Sequence, residues 1–484
     1  MQSGFDWAIL APELTLAGFA LLALLMEGLF WPRRSAVNLG YLSLLGCLVA
    51  LSLALIEWTE EGSEQGLNGI FLADPYSTFF DILLLCITIF SLLLALQHLP
   101  HSDRDRGEYY PLFLLGTLGM MAAVGAGDLV LLFVGLELTS LCLYVLVGTE
   151  WRLQSANEAS LKQLISGMLG TGLLIYGIGL IYGETGSTGL RDLEIHLREI
   201  DAREWGLLLP GLGLVLAGLA VKVGIAPFHM WAPDVYQGTP APVTAFLLLG
   251  PKLVGGAVLG RLLLYGLASL EEVWMPVLWG LSAASMVGGY LLALNQRNLK
   301  RVLAYAGVSQ SGFALLGLVA ANESGLTGML FHLVACALAN VGAIAALVIC
   351  YRNEEGAELG DFRGLGSRHP WLALGVALSM IGLAGLPPTA GFMGRVLLLG
   401  AALEGGYLGL VLLASLGCLL GFYVHLRVVI SMYMQAADAD QTPAVILAPE
   451  ALVALLLAVL GTVGLGLWPS SLLDVARAAL IAIM

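Results

Sequence analysis

Runs of about twenty apolar residues recur from one end of the chain to the other, separated by short polar segments. A run of that length is what an α-helix needs to cross roughly 30 Å of hydrocarbon. The longest polar stretches, 184–205 and 351–370, are too short to hold a separate soluble domain. The pattern therefore predicts one membrane domain, 1–484, of all-α fold with about fourteen transmembrane helices: 7–31, 38–57, 76–99, 110–126, 128–148, 163–183, 207–226, 241–268, 273–294, 302–320, 326–350, 371–400, 406–434 and 450–469.

Composition excludes a water-soluble protein. Hydrophobic residues make up 58% of the chain and charged residues 12%, whereas soluble domains are about a quarter charged. The net charge of −14 argues against nucleic-acid binding. The six cysteines fall in apolar runs without metal-type spacing, which favours small buried hydrophobes over redox or metal chemistry. The first run is followed by further spans and lacks a basic leader, so it is interpreted as a retained helix.

The basic residues in the loops predict the orientation. One side of the membrane receives twelve basic residues and the other side receives four. The twelve on the richer side are Arg33, Arg34, Arg104, Arg106, Arg152, Lys162, Arg297, Lys300, Arg301, Arg352, Arg363 and Arg368. The positive-inside rule places that side in the cytoplasm and both termini outside.

Three spans contain prolines that predict broken helices. Pro227 follows a lysine-bearing turn in 207–231, Pro387 and Pro388 interrupt 371–400, and Pro251 precedes Lys252 in 241–268. Paired broken helices are typical of transporters built from inverted repeats. We therefore expect three N-terminal helices (7–99), two inverted five-helix repeats (110–268 and 273–434) and a last helix (450–469).

Ionisable residues inside the bilayer are the candidate chemistry. Placing each such side chain at the centre of a transmembrane helix costs about 2.5–3.5 kcal/mol. These residues are therefore expected to have a structural or functional role. Glu137 lies about 14 Å from the start of its helix, and Lys222 and Lys252 lie beside prolines. The alternatives are a structural ion pair, or a proton relay in which the carboxylate tunes the proton affinity of a desolvated lysine; we favour the relay.

Four further residues are weaker candidates. Arginine keeps its proton in proteins, so Arg395 is not a relay site. It is interpreted as a fixed charge or gate, and the alternative is an interfacial anchor. Lys162 is either in the relay or anchors a span through an i,i+4 pair with Glu158. His229 and His332 titrate near neutrality, although a lone histidine is more often only hydrogen-bonded. We expect three other residues to be mostly anchors: Arg261, His425 and Arg427.

The segment KVGIAPFHMWAPDVYQGTPAPVTAFLLLGPK (222–252) resembles the antiporter-like membrane subunits of respiratory complex I, the NADH-quinone oxidoreductase. Within this segment, the stretch PDVYQGTPAPV is similar to subunits of the N type in that family rather than to those of the L and M types. LADPYSTFF (72–80), NEASLKQLISG (157–167), NQRNLKRVLAYAGVSQSGF (295–313) and LAGLPPTAGFMGR (383–395) extend the likeness.

The resemblance implies a proton-translocating subunit of the bacterial plasma membrane. Its implied partners are other membrane-arm subunits, especially subunit M and the small subunits A, J and K. Glu137, Lys222, Lys252 and Lys162 match the family's key positions, and Arg395 stands where lysine is expected. His332 stands where tyrosine is expected.

The sequence encodes no flavin, haem, P-loop or dinucleotide motif, so we expect no cofactor in this chain. FMN and iron–sulfur clusters are implied for partner subunits. The alternatives are a subunit of a multisubunit cation/proton antiporter, a transporter of a small solute, and a structural subunit that moves no protons.

Overall fold

The computed structural model describes residues 7–30, 36–59, 64–66, 69–98, 107–199, 206–350, 357–436 and 449–483. Several basic residues used for the orientation lie outside these ranges: Arg33, Arg34, Arg104, Arg106, Arg203 and Arg352. The described part is helical apart from a small hairpin, β1 (Glu64–Gly66) paired antiparallel with β2 (Phe71–Ala73). The all-α membrane fold is confirmed.

Most of the described helices have the length of membrane spans. In chain order they are α1 (Ala11–Phe30), α2 (Ala36–Thr59), α3 (Pro75–His98), α4 (Tyr109–Val124), α5 (Leu129–Val147), α6 (Gln154–Thr185), α7 (Leu190–Glu199), α8 (Leu208–Val223), α9 (Ala232–Gly238), α10 (Ala241–Arg261), α11 (Glu271–Ala293), α12 (Leu299–Ala320), α13 (Glu323–Cys350), α14 (Leu365–Arg368), α15 (Pro370–Ala384), α16 (Ala390–Glu404), α17 (Leu408–Met434), α18 (Pro449–Leu467) and α19 (Ser470–Leu480). Within the described ranges, eleven are long and apolar enough to span a membrane, and three shorter apolar helices, α4, α8 and α15, accompany them.

Short polar residues and glycines mark where spans begin and end. Asp128 accepts a hydrogen bond from the amide of Val130 at the start of α5, and Asn298 accepts one from Arg301 at the start of α12. Helices α8 and α15 end at Gly224 and Gly385, whose φ angles are 76° and 72°. These left-handed positions favour glycine because it lacks a Cβ atom.

Two of the three predicted breaks are confirmed. Residues 224–231 separate α8 from α9, and residues 385–389 separate α15 from α16. Trp231 donates its indole N–H to the carbonyl of Val221, which the first break leaves without a helical partner.

The third predicted break is wrong, because α10 continues through Pro251. Proline has no N–H and leaves the carbonyl four residues earlier unpaired. Here the Tyr236 hydroxyl donates to that carbonyl, on Leu247, at 3.3 Å. A side chain from α9 therefore replaces the missing backbone donor within α10.

The centre of the bundle is formed by α10, α12 and α13, which are almost wholly buried. Sequence analysis missed α7, α19 and the hairpin, and α6 begins at Gln154 rather than at 163. Large apolar side chains of the outer helices remain exposed, including Leu25, Met168 and Leu419, as lipid-facing residues do.

Candidate functional site: a line of buried cations

Glu137 on α5 and Lys222 on α8 form a direct ion pair. Their Oε1 and Nζ atoms lie 2.7 Å apart, with side chains 22% and 7% exposed. The ammonium also donates to Ser140 Oγ at 3.0 Å and Thr171 Oγ1 at 3.1 Å, and Thr171 donates to Glu137 at 2.8 Å. Sequence analysis missed both hydroxyl residues, because Ser and Thr are common in membrane helices for other reasons.

This arrangement gives the ammonium three oxygen partners and the carboxylate two donors. The hydroxyls of Ser140 and Thr171 can donate or accept, so they can also solvate a neutral amine. A cavity of about 50 Å³ adjoins Lys222, and Gln163 and Pro251 also line it. A space of that size accommodates water molecules, since about 10–15 Å³ holds one. The cavity therefore lies between Lys222 and the helix that carries Lys252.

The Nζ atom of Lys252 on α10 is buried, and no described residue gives it a hydrogen-bond partner. The amine lies 6.0 Å from the centre of the Tyr236 ring. A second cavity, of about 20 Å³, joins it to four polar residues of α12 and α13: Gln310, Ser311, His332 and Asn340. An ammonium without partners is costly in low dielectric, whereas a neutral amine is tolerated. This lysine therefore has the surroundings of a group that gives up its proton readily.

Arg395 on α16 binds the open end of α15. Its guanidinium donates to the carbonyls of Leu383 and Ala384 and to the Tyr290 hydroxyl, and it lies over the Phe313 ring. At 4% exposure it is no interfacial anchor, so that alternative is wrong. The contacts hold a permanent cation against the negative end of a half-helix.

The two candidate histidines differ in their surroundings. His332 on α13 is fully buried between Gln310, whose carbonyl lies 3.3 Å from its Nε2 atom, and Cys336. It lies in the cavity beside Lys252. His229 lies in the first break, with its ring 6.0 Å from that of Tyr305 and neither nitrogen bonded to a described residue. The structure thus joins His332, but not His229, to the Lys252 cavity.

Lys162 is separated from the line of buried cations. Its ammonium contacts Glu158 at 2.7 Å, which confirms the i,i+4 pair, and Asp234 at 2.6 Å. Arg301 on α12 contacts the other oxygen of Asp234 at 2.6 Å. Burial would raise the pKa of the Asp234 carboxyl, but the hydrogen bonds from Lys162 and Arg301 outweigh it and hold this pKa below its ordinary value. Asp234, which sequence analysis missed, therefore ties α6, α9 and α12 together.

The predicted membrane anchors are wrong in detail. Arg261 is buried, at 2% exposure, and makes a bidentate pair with Asp74 at 2.7 and 2.8 Å. Its Nε atom donates to the carbonyl of Val124. His425 is fully buried, and Arg427 donates to carbonyls at the end of α11. Each binds protein rather than the lipid surface.

No group of three or more His, Cys, Asp or Glu residues arranged to hold a metal ion occurs within the described ranges. The six cysteines are free thiols. Burial places Cys47, Cys142 and Cys350 among apolar neighbours.

Comparisons with known proteins agree over nearly the whole chain. The family described as NADH:quinone oxidoreductase/Mrp antiporter, TM, matches residues 126–421. A protein of Chloroflexus aggregans named NADH-quinone oxidoreductase subunit N is 38% identical, over 99% of this chain and 98% of its own. One of the same name from Trichlorobacter lovleyi is 36% identical, over 97% and 96%.

Solved structures show the same likeness. A chain of respiratory complex I from Thermus thermophilus with bound aureothin has a TM-score of 0.82 at 31% identity, covering 96% of this chain and 98% of its own. A chain of the Mrp complex from Dietzia sp. has a TM-score of 0.87 at 22% identity, covering 97% and 96%. At that identity the second likeness is one of fold alone.

Proposed function

Since this chain belongs to the NADH:quinone oxidoreductase/Mrp antiporter family of transmembrane subunits, we propose that it is the proton-translocating subunit N of NADH-quinone oxidoreductase. The single observation that carries the mechanism is the Glu137–Lys222 pair, 2.7 Å apart and open to a cavity that reaches α10. An enzyme of this kind couples electron transfer from NADH to quinone with proton pumping.

The first half of the relay follows from that geometry. While Glu137 contacts Lys222, the carboxylate stabilises the ammonium. When the carboxylate withdraws, Ser140 and Thr171 remain to solvate a neutral amine, and the proton passes through the cavity toward Lys252. Lys252, which has no anionic partner among the described residues, holds this proton weakly and releases it toward His332, Gln310 and Asn340.

The second half departs from a lysine-only relay. Arg395 cannot release a proton, and its contacts with two carbonyls and Tyr290 fix it at the break. We infer that it acts as a fixed charge, and that His332 is the titratable group between it and Lys252. His229, Lys162 and Asp234 lie on the proton entry side, where Lys162 is exposed.

The domain arrangement is part of the proposal. We infer that 110–268 and 273–434 are inverted repeats, with 7–99 and 450–469 outside them. Support comes from the two breaks, 224–231 and 385–389, which follow left-handed glycines at the ends of α8 and α15. Their spacing of about 160 residues is that of the proposed repeats.

Replacement of Lys222 by arginine tests the relay. Lys222→Arg keeps the charge and the ion pair but cannot release a proton, so quinone-linked pumping should be lost. Acridine-dye quenching in membrane vesicles measures pumping, and NADH oxidation with an artificial acceptor reports an intact assembly. Full pumping by Lys222→Arg would reduce Lys222 to a structural charge.

A matched control is available at another buried lysine. Lys300 donates to the carbonyl of Thr239 at 2.7 Å, where a fixed cation suffices. Lys300→Arg should therefore retain pumping in vesicles that contain the assembled complex. Loss of pumping in both variants would show that arginine disturbs any buried lysine site, and the relay would lose its support.

The second candidate function is that of a subunit of a multisubunit cation/proton antiporter, which the fold shared with the Mrp complex chain supports. Co-purification distinguishes the two. We expect subunit M, the small subunits A, J and K, and an NADH-oxidising arm with FMN and iron–sulfur clusters. The chain itself should bind no redox cofactor; stoichiometric flavin, haem or iron in the purified chain would contradict this.

We also propose that the chain lies in the bacterial plasma membrane with both termini outside. Cysteine labelling at two exposed positions tests the orientation: Glu199→Cys should react with an impermeant maleimide from outside and Asn295→Cys only from inside. The reverse pattern would overturn the orientation.

A further inference from the structure

The three N-terminal helices contain a cluster of three acids, two of them buried, that the proposed relay does not use. Glu13 lies near the start of α1, Glu57 near the end of α2 and Asp81 near the start of α3. Because consecutive spans run in opposite directions, the three carboxyls meet at one end of the bundle. We call them the N-terminal acid cluster.

Two members of this cluster are almost fully enclosed. Glu13 is 7% exposed and Asp81 4% exposed. One oxygen of each, Glu13 Oε2 and Asp81 Oδ1, has no hydrogen-bond partner among the described residues. Both Glu13 and Glu57 lie close enough to Asp81 to act on its carboxyl electrostatically. The oxygens of an ionised carboxylate would not be left unbonded at this burial without severe cost.

The described cation that acts on Asp81 is already paired with another carboxylate. Arg261 lies within electrostatic range of Asp81, but its guanidinium is already bound by both oxygens of Asp74. Asp74 and Arg261 together add no net charge beside Glu13 and Asp81. The repulsion between like charges at such a site is relieved when one carboxyl takes up a proton.

We propose that Glu13 and Asp81, in the field of Glu57, form a proton-binding site that holds at least one proton at neutral pH. The site lies outside both proposed repeats, at the end of the bundle where α10 ends. Arg261 connects it electrostatically to α10, about 14 Å along that helix from Lys252. The three N-terminal helices thus carry their own titratable group, independent of the relay proposed above.

A hydrophobic carbodiimide tests this site in the assembled complex. The reagent reacts only with a protonated carboxyl: the acid proton moves to a carbodiimide nitrogen and the carboxyl oxygen bonds to the central carbon. The adduct rearranges to a stable N-acylurea, and no other reactant is needed. Mass spectrometry of membrane vesicles treated with dicyclohexylcarbodiimide at neutral pH should find this product on Glu13 or Asp81.

Two carboxyls of the same chain provide controls. Glu323 is 66% exposed and contacts Arg477, so it should remain unlabelled. Glu137 should be unlabelled in the wild type but become labelled in Lys222→Met, because the partly buried carboxylate then lacks its ammonium partner and takes up a proton. That variant shows that the reagent reaches acids within the spans of this chain.

The isosteric variants assign the label. Asp81→Asn should abolish any label on the α3 peptide, and Glu13→Gln any on the α1 peptide, with the complex still assembled. Absence of label from both wild-type residues, while Glu137 is labelled in Lys222→Met, would overturn the proposal. Suppression by sodium chloride, but not by choline chloride at the same pH, would assign the cluster to a sodium ion and overturn the proton assignment.

Discussion

The Glu137–Lys222 pair allows a quantitative prediction from a double-mutant cycle. The cycle comprises Glu137→Gln, Lys222→Met and the double variant, with unfolding measured by SDS titration in mixed micelles. Removing one partner of a buried pair costs about 3–5 kcal/mol when the other charge stays unpaired. Lys222 is 7% exposed, so Glu137→Gln leaves its ammonium with neutral partners only: the new amide oxygen and the Ser140 and Thr171 hydroxyls.

Two features reduce the expected cost. Those hydroxyls still solvate the amine, and Glu137 is 22% exposed, so some water reaches the pair. We expect each single variant to lose about 2–3 kcal/mol and the double variant to lose little more, which gives a coupling energy of about 2 kcal/mol. Additive losses would refute the reasoning, because they would show that the contact contributes nothing beyond two separate side chains.

Three further predictions follow from contacts at other buried charges. Arg395→Lys should destabilise the chain by about 2 kcal/mol, although the family pattern favours lysine at this position. The reason is that a point charge cannot reproduce the forked contacts with Leu383, Ala384 and Tyr290. The same SDS titration measures this loss, and an unchanged unfolding midpoint would contradict the prediction. Gly307→Ala should impair pumping with NADH oxidation intact, since its Cβ would meet the Lys252 ammonium, whereas Gly280→Ala, which meets nothing, is the control. Asp234→Asn should lower the free energy of unfolding by about 1 kcal/mol at neutral pH. Because the pKa of Asp234 is held below its ordinary value, the ion pairs contribute fully above that ordinary pKa, and their contribution is lost as the pH falls through the folded-state pKa. A stability difference between variant and wild type that persists in strong acid would argue against the ion pairs.

Membrane burial made part of the site predictable. Charges inside apolar runs stand out in the sequence, so Glu137, Lys222 and Lys252 could be selected before any contact was known. Prolines also marked the two true breaks.

Other features depended on partners far along the chain. The Tyr236 hydroxyl donates to the Leu247 carbonyl, which Pro251 leaves without a backbone donor. No local sequence pattern indicates this contact, so the prediction of a break in α10 is wrong. Arg261 was taken for an anchor because its partner, Asp74, is 187 residues away. The acids at positions 13 and 81 lie near helix starts, where the sequence alone does not distinguish a buried carboxyl from one at the membrane surface.

Arg395 gives the two halves of the proposed pathway different electrical characters. The charge at Lys222 can vary as its proton comes and goes, whereas the guanidinium bound to Leu383, Ala384 and Tyr290 is positive at all times. An arriving proton therefore meets a constant repulsion at that end and can approach only when the groups before it carry less charge. Such a constant barrier slows proton movement equally in both directions, so the direction of transport has to be set at the other end, where the Glu137 carboxylate can switch.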